Sequence, residues 1–181
     1  MLRTFFLYFI YLKEKLRLWK RVNFRGFTVV YAFKGSGIYW GKNVLVNSHF
    51  LSNLAGMHQR SILVARDGGI IRLGDDISLS ATTIYALRSV EIGNGTLIGA
   101  NTVIMDNDFH PLDAVVRRTD NRDAIGRKPV CIGKDCFIGM NVIICKGTVL
   151  GDRCIVGAGS VVCGVFPPDS VIAGNPAVRR R

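Results

Sequence analysis

The chain has 181 residues, 49% of them hydrophobic, and a formal net charge of +11. That length fits one domain with a small appendage, with ample apolar mass for a core. The charge sits at the ends: residues 1–27 hold seven Lys/Arg against Glu14 alone, the chain closes on Arg179, Arg180 and Arg181, and the body between is nearly balanced. Such ends favour an anionic membrane surface or an anionic ligand, and the lack of any recognisable nucleic-acid-binding module sets that partner class aside.

At the N-terminus, the apolar run from Phe5 to Leu12 is far shorter than the roughly 20 residues that span a bilayer, and it lacks the small-residue cleavage site of a signal peptide. Wound as a helix, it places Phe5, Phe9, Leu12, Leu16 and Trp19 near one face, with Lys13, Arg17 and Lys20 away from it. Two readings follow, and they are compatible. One is a helix lying in the membrane interface through residues 1–21. The other is a cap over the open end of a solenoid or against a neighbouring subunit.

From residue 27 to 72 a loose beat runs through Ile38, Val44, Leu51, Ile62 and Ile70, punctuated by Gly35, Gly37, Gly41, Gly68 and Gly69. Leu73-Gly74 and Leu79-Ser80 begin a regular beat, and a slip of one residue before Ile92 points to a bulged corner near residues 85–89. Ile92, Ile98 and Ile104 then keep a six-residue phase, and Ile132, Ile138, Ile144, Leu150, Val156 and Val162 keep another. Four residues after an aliphatic sits a small or β-branched residue: Thr96, Thr102, Cys136, Val142, Thr148, Cys154 or Ser160. A period of six matches neither an α-helix nor a flat strand. It fits a parallel β-helix of triangular section, with aliphatics filling the interior and small residues the corners. Expected segments are an N-terminal piece at 1–26, the solenoid at 27–178 and a basic tail at 179–181.

The beat breaks between Ile104 and Ile132, 28 positions apart, around an insert of about residues 106–130 that begins Asp106-Asn107-Asp108-Phe109-His110-Pro111. A loop extruded from a rigid coil has fixed roots and suits chemistry. His110 is the candidate general base, since imidazole titrates near neutrality. Asp108 is the candidate to orient its ring, with Asp106 and Asp113 nearby; the alternative for these acids is turn formation. Cys131, Cys136, Cys145, Cys154 and Cys163 show no C-x-x-C spacing, which argues against zinc and for free thiols used as small fillers in a reducing compartment. His49 and His58 stand nine apart, a spacing unlike that of a trimeric three-histidine zinc site, so no metal is expected.

The repeat, the single Asp-Phe-His-Pro interruption and the ending Gly174-Asn175-Pro176-Ala177 together resemble the hexapeptide-repeat acyltransferases, in particular the sugar and capsular-polysaccharide O-acetyltransferase branch. The resemblance covers roughly residues 40 to 178. It implies an all-β, left-handed parallel β-helix with a short N-terminal amphipathic helix and an extruded catalytic loop, assembled as a homotrimer with each active site between two subunits. It implies acetyl-CoA as co-substrate, a sugar or glycan acceptor, direct transfer without an acyl-enzyme, and the backbone N–H of Met140 as oxyanion donor. By the same resemblance Phe137, Gly139, Met140, Ala158 and Gly159 line the pantetheine arm, and Asn175, Pro176 and Arg181 approach the nucleotide. Ser80 and Asp106 stand on the acceptor side. Gly164 stands where the family often has a basic residue. The implied setting is cytoplasmic, at the inner face of the membrane. A small soluble acceptor and a non-catalytic scaffold are the alternatives.

Overall fold

The computed structural model describes residues 2–119 and 121–181. Met1, in the expected N-terminal segment, and Asp120, in the expected insert, lie outside the described residues. After helix α1 (Leu2–Arg17) the chain winds through three strands per turn. These are β1–β3 (Val22–Arg25, Val29–Ala32, Gly37–Trp40), β4–β6 (Val44–Asn47, Ile62–Ala65, Ile70–Leu73) and β7–β9 (Ser78–Ser80, Thr83–Ala86, Ser89–Ile92). Next come β10–β12 (Leu97–Ile98, Val103–Met105, Val130–Ile132), β13–β15 (Phe137–Ile138, Ile143–Ile144, Val149–Leu150) and β16–β18 (Ile155–Val156, Val161–Val162, Val165–Phe166). β19 (Val171–Gly174) opens a last turn, and β20 (Ala177–Arg179) folds back antiparallel on it. All other pairings are parallel and join every third strand, giving three sheets as the faces of a triangular prism.

The register explains the six-residue beat. Leu79, Ile98, Ile138, Val156 and Ile172 stack in one inward column. Ile84, Ile104, Ile144 and Val162 form a second, and Ile92, Ile132, Leu150 and Phe166 a third. The small residues fill the corners as expected: Thr96, Thr102, Thr148 and Ser160 are buried and donate to backbone carbonyls, Thr96 to Gly133 at 2.9 Å and Thr102 to Gly139 at 3.0 Å. Cys136 and Cys154 take the same part, each thiol 3.2 Å from a carbonyl of the next coil. Burial pushes the Cys136 thiol up to about 11, which leaves it a protonated filler rather than a nucleophile. Glycines mark close approaches between coils: a Cβ on Gly99 would stand 2.6 Å from the Met140 nitrogen.

Two details of the early winding differ from the sequence reading. The coil begins at Val22 rather than residue 27, since β1 pairs with β4. The inward residues of residues 27–72 are also displaced from the loose beat: Val46, Leu63 and Ile71 are fully buried, while Leu51 is 64% exposed. Strands here are four residues long and bury two or three side chains each, which blurs a count of one per six. The slip before Ile92 divides in two. Leu79 to Ile84 is five positions where the next coil, Ile98 to Ile104, takes six, one short, and Ile84 to Ile92 is eight, two over.

Helix α1 closes the N-terminal end. Tyr11 and Leu18 join the core, and Tyr11 packs edge-on against Phe24 and Phe27 while its hydroxyl donates to the Gly26 carbonyl at 3.1 Å. The opposite side leaves Phe5, Phe9, Leu16 and Trp19 at 67–75% exposure.

Because the columns carry the packing, Ile144→Ala, in the middle of a column and fully buried, is expected to cost about 2–5 kcal/mol. Ile155→Ala, on the outer surface at 43% exposure, is expected to cost about 1 kcal/mol or less. Chemical denaturation of both variants checks the contrast.

Candidate active site

The insert leaves the coil at the corner between the second and third sheets, after β11, and returns at β12. Asp106 fixes its root. Its side chain is fully buried, Oδ1 accepting the Leu87 N–H (2.8 Å) and the Asn107 amide (2.9 Å), Oδ2 accepting the Arg88 N–H (2.6 Å). Its carbonyl accepts the Lys128 N–H at 2.9 Å, which ties the two ends of the insert together. Asp106 therefore anchors the loop and does not face an acceptor, contrary to the sequence expectation. Asn107 accepts the Phe109 N–H at 2.9 Å, and Phe109, at φ +61°, packs its ring on Tyr85 with centroids 4.8 Å apart. Asp113 caps the short helix α2 (Ala114–Arg118) through the N–H groups of Val115 and Val116.

His110 stands exposed at the start of this loop. Its backbone N–H donates to the Asp108 carbonyl at 2.7 Å, and its ring makes no hydrogen bond to any described residue. Asp108 does not orient that ring. Its Oδ1 is held by the Lys146 ammonium, which arrives from the next coil, and its buried Oδ2 has no partner. Further along, Arg122 reaches back to Asp67 at 2.8 Å and latches the insert to the side of the coil. The Arg122 hydrogen bond, aided by the charges of Arg66 and Arg127, holds the Asp67 carboxyl below its ordinary range against a smaller opposing effect of burial.

The residues expected around a thioester lie at a different corner, between the first and second sheets. Gly139 and Met140 follow β13, and Ala158 and Gly159 follow β16 in the same register, both exposed. The Met140 carbonyl accepts the Gly159 N–H at 2.9 Å, while the Met140 N–H has no acceptor among the described residues. Phe137 and Ile155, paired across two coils, present an apolar strip at 51% and 43% exposure. Asn175, Pro176 and Arg181 are exposed at the C-terminal end of this side.

Ser80, on the same corner, is 4% exposed; its Oγ accepts from the amides of Asn47 and Asn53, both at 3.0 Å. It is covered by a second loop, residues 48–61, that the sequence reading took for irregular repeats. Asn101 and the loop exchange two hydrogen bonds, through the His58 N–H (3.2 Å) and the Gly56 carbonyl (3.0 Å), and Met57 packs on Ala81, Ala100 and Met140. The available signal is the 17-residue gap between the inward Val46 and Leu63, which no whole number of sixes fills. His49 and His58 line one cleft beside this loop, and no group of three or more His, Cys, Asp or Glu among the described residues is placed to hold a metal ion.

One side of the prism separates the two corners. Six residues of extended chain span roughly 15–20 Å, so His110 and the Met140 N–H of one chain do not face a common point.

The hexapeptide repeat of succinyl-transferase is the family model that matches, over residues 129–163. The chain is a hexapeptide-repeat β-helix. WbbJ of Escherichia coli K12, provisionally named a lipopolysaccharide biosynthesis O-acetyl transferase, is 34% identical over 116 residues, 60% of this chain and 59% of WbbJ. The galactoside O-acetyltransferase of the same strain is 35% identical over 94 residues, 52% of this chain and 44% of that enzyme. This hexapeptide-repeat chain thus spans about half the length of the curated relatives it matches. Among solved structures, AntD, an N-acyltransferase from Bacillus cereus in complex with dTDP and 3-hydroxybutyryl-CoA, superposes with a TM-score of 0.62 at 21% identity over 92% of this chain and 86% of that one. The shared fold is the left-handed β-helix.

The Asp67–Arg122 latch has a pH signature. A carboxyl whose folded pKa is lowered contributes stability above its ordinary pKa and loses it as the pH falls through the folded one. Protection of the amides of residues 121–127 from hydrogen exchange is therefore expected to hold down to about pH 4 and to fall below it. Asp67→Asn removes the step and lowers protection already at neutral pH.

Proposed function

We propose that this chain is an acetyl-CoA-dependent O-acetyltransferase that acts on a sugar hydroxyl in bacterial surface-polysaccharide synthesis and works as a homotrimer. The observation that carries this reading is the split site: an exposed, unengaged imidazole at one corner and an unpaired backbone N–H beside an apolar strip at another. A second copy brings the two together. The names of WbbJ and the galactoside enzyme support a sugar acceptor and transfer to oxygen, and the CoA ester bound by AntD supports the donor class.

In this mechanism neutral His110 accepts the proton of the acceptor hydroxyl as its oxygen attacks the thioester carbonyl. The carbonyl oxygen becomes an oxyanion, which the Met140 N–H of the neighbouring copy stabilises. Collapse breaks the carbon–sulfur bond, and the imidazolium returns its proton to the departing thiolate. The pantetheine arm lies along Phe137, Gly139, Ala158 and Gly159. Asn175, Pro176 and the guanidinium of Arg181 meet the nucleotide, a charge-assisted contact that arginine makes well. AntD, an N-acyltransferase by name, favours the second reading, a soluble amino-sugar acceptor.

His110→Ala is expected to lower acceptor-dependent CoA release by about 10²–10⁴-fold while CoA still binds. Met140→Ala is expected to retain most activity and Met140→Pro, which removes the N–H, to lose it. Turnover across a panel of nucleotide sugars, glycolipid extracts and small amines distinguishes the acceptors; absence of CoA binding in the wild type removes the reading.

The outer face of α1 supports placing the enzyme at an anionic membrane surface, where a lipid-linked glycan is met. No helix among the described residues is long and apolar enough to cross a membrane. Phe5, Phe9, Leu16 and Trp19 are exposed together beside Lys13, Arg17 and Lys20, the arrangement of an interfacial helix. Cosedimentation with phosphatidylglycerol vesicles, weakened by salt and lost in Phe9→Glu/Leu16→Glu, is the expected result. Equal retention of that variant identifies the stripe as a contact between protein copies or a free surface.

A further inference from the structure

Lys146 lies 38 residues beyond Asp108 in sequence, at the same corner one coil later, and its ammonium closes on Asp108 Oδ1. The pair is only partly open to water, with 26% and 19% of the two side chains exposed. Around it the backbone is shaped to leave room. Gly126, on the returning arm of the insert, accepts the Asp108 N–H with its carbonyl at 3.1 Å. A Cβ at Gly126 would stand 2.5 Å from Asp108 Oδ2 and 3.6 Å from the Lys146 Cε. Asp108 is thus clasped from the next coil and from the far arm of the loop at once. Its own carbonyl holds the His110 N–H at 2.7 Å.

Resting on the acyltransferase reading above, we infer that Lys146 is a positioning residue for His110: it fixes Asp108, on which the histidine backbone hangs, and neutralises the carboxylate nearest the imidazole in sequence. The clasp has two effects. It sets the direction in which the exposed ring projects toward the neighbouring copy, where an error near 1 Å costs up to about 10²-fold in rate. It also compensates the Asp108 carboxylate, which would otherwise be a bare, partly buried charge two residues from the base. The other titratable groups around the pair do not replace Lys146. Both Asp106 oxygens are taken by N–H groups, and Arg127 is engaged with the Arg122 carbonyl. Lys128 runs its stem beside Gly147, Tyr85 meets Phe109 through its ring, and burial raises the Cys145 thiol, which stays neutral.

The test measures the titration of the His110 ring by NMR in wild type, Lys146→Met and Lys146→Arg, which needs neither CoA nor acceptor, alongside kcat and KM wherever the wild type turns over. Lys146→Met leaves Asp108 uncompensated, so the His110 midpoint is expected to rise by about half a pH unit or more. The acid limb of the rate profile moves to higher pH with it, and kcat falls at least about tenfold with KM for acetyl-CoA within about twofold. Lys146→Arg is expected to restore both. Lys146→Gln, neutral but still a donor, serves if the methionine variant does not fold. An unmoved midpoint and unchanged kcat in a folded neutral variant would reduce the pair to a structural tie and overturn the inference. If the wild type transfers no acyl group at all, the proposed function falls, and the NMR titration still decides whether Lys146 governs the state of His110.

Discussion

The parallel backbone ladder from one coil to the next is the interaction on which the rest of the molecule depends. Each strand inside the three sheets, β19 apart, pairs with the strand one full turn before it and one full turn after it, so an insertion in an inner coil must leave and return at the same corner or break three sheets. That condition explains why both loops are tied at their roots. Asp106 joins the ends of the insert by taking N–H groups from the preceding coil with its side chain and the Lys128 N–H with its carbonyl. Ser61 does related work for the 48–61 loop, its hydroxyl donating to the Asn47 carbonyl at 3.0 Å while its nitrogen donates to Ser48 Oγ. Buried hydrogen bonds at such roots are expensive to leave unmade, and they convert a flexible excursion into a fixed projection.

The same ladder separates the chemistry. Residues at equivalent corners of successive coils lie above one another, whereas residues at successive corners of one coil stand a whole side apart. His110 and Met140 stand at different corners of successive coils and are likewise a side apart. The two corners are also supported separately, the His loop by the Lys146–Asp108 pair and the Met140 corner by the packing of Met57 and Met140 on Ala81 and Ala100.

Most of the prism was legible in the sequence because one inward aliphatic per six residues is a local pattern that the two-residue strands of the later coils obey up to Val162. The early coils were less legible for a physical reason: four-residue strands bury two or three side chains each, so Leu51 passed for an inward residue although it sits in a loop. The insert was found by the break in phase, and His110 was singled out in it by the chemistry of imidazole. The partner of Asp108 was not legible. A lysine 38 residues away reads as an ordinary surface charge until the coil places it one turn above. Nor did the sequence distinguish an acid that faces a ligand from one that satisfies buried N–H groups, which is why Asp106 stood among expected acceptor contacts.

A solenoid with bare ends is a template for its own copies, since the last strand of each sheet offers unpaired N–H and C=O groups to any incoming parallel strand. Here α1 lies across one end, and at the other β20 runs back antiparallel along β19. A reversed strand cannot seed another parallel coil in register, and Arg179, Arg180 and Arg181 bring like charges to that edge. The hairpin therefore closes the C-terminal edge of the first sheet to further parallel pairing, while the other two sheets end on β17 and β18.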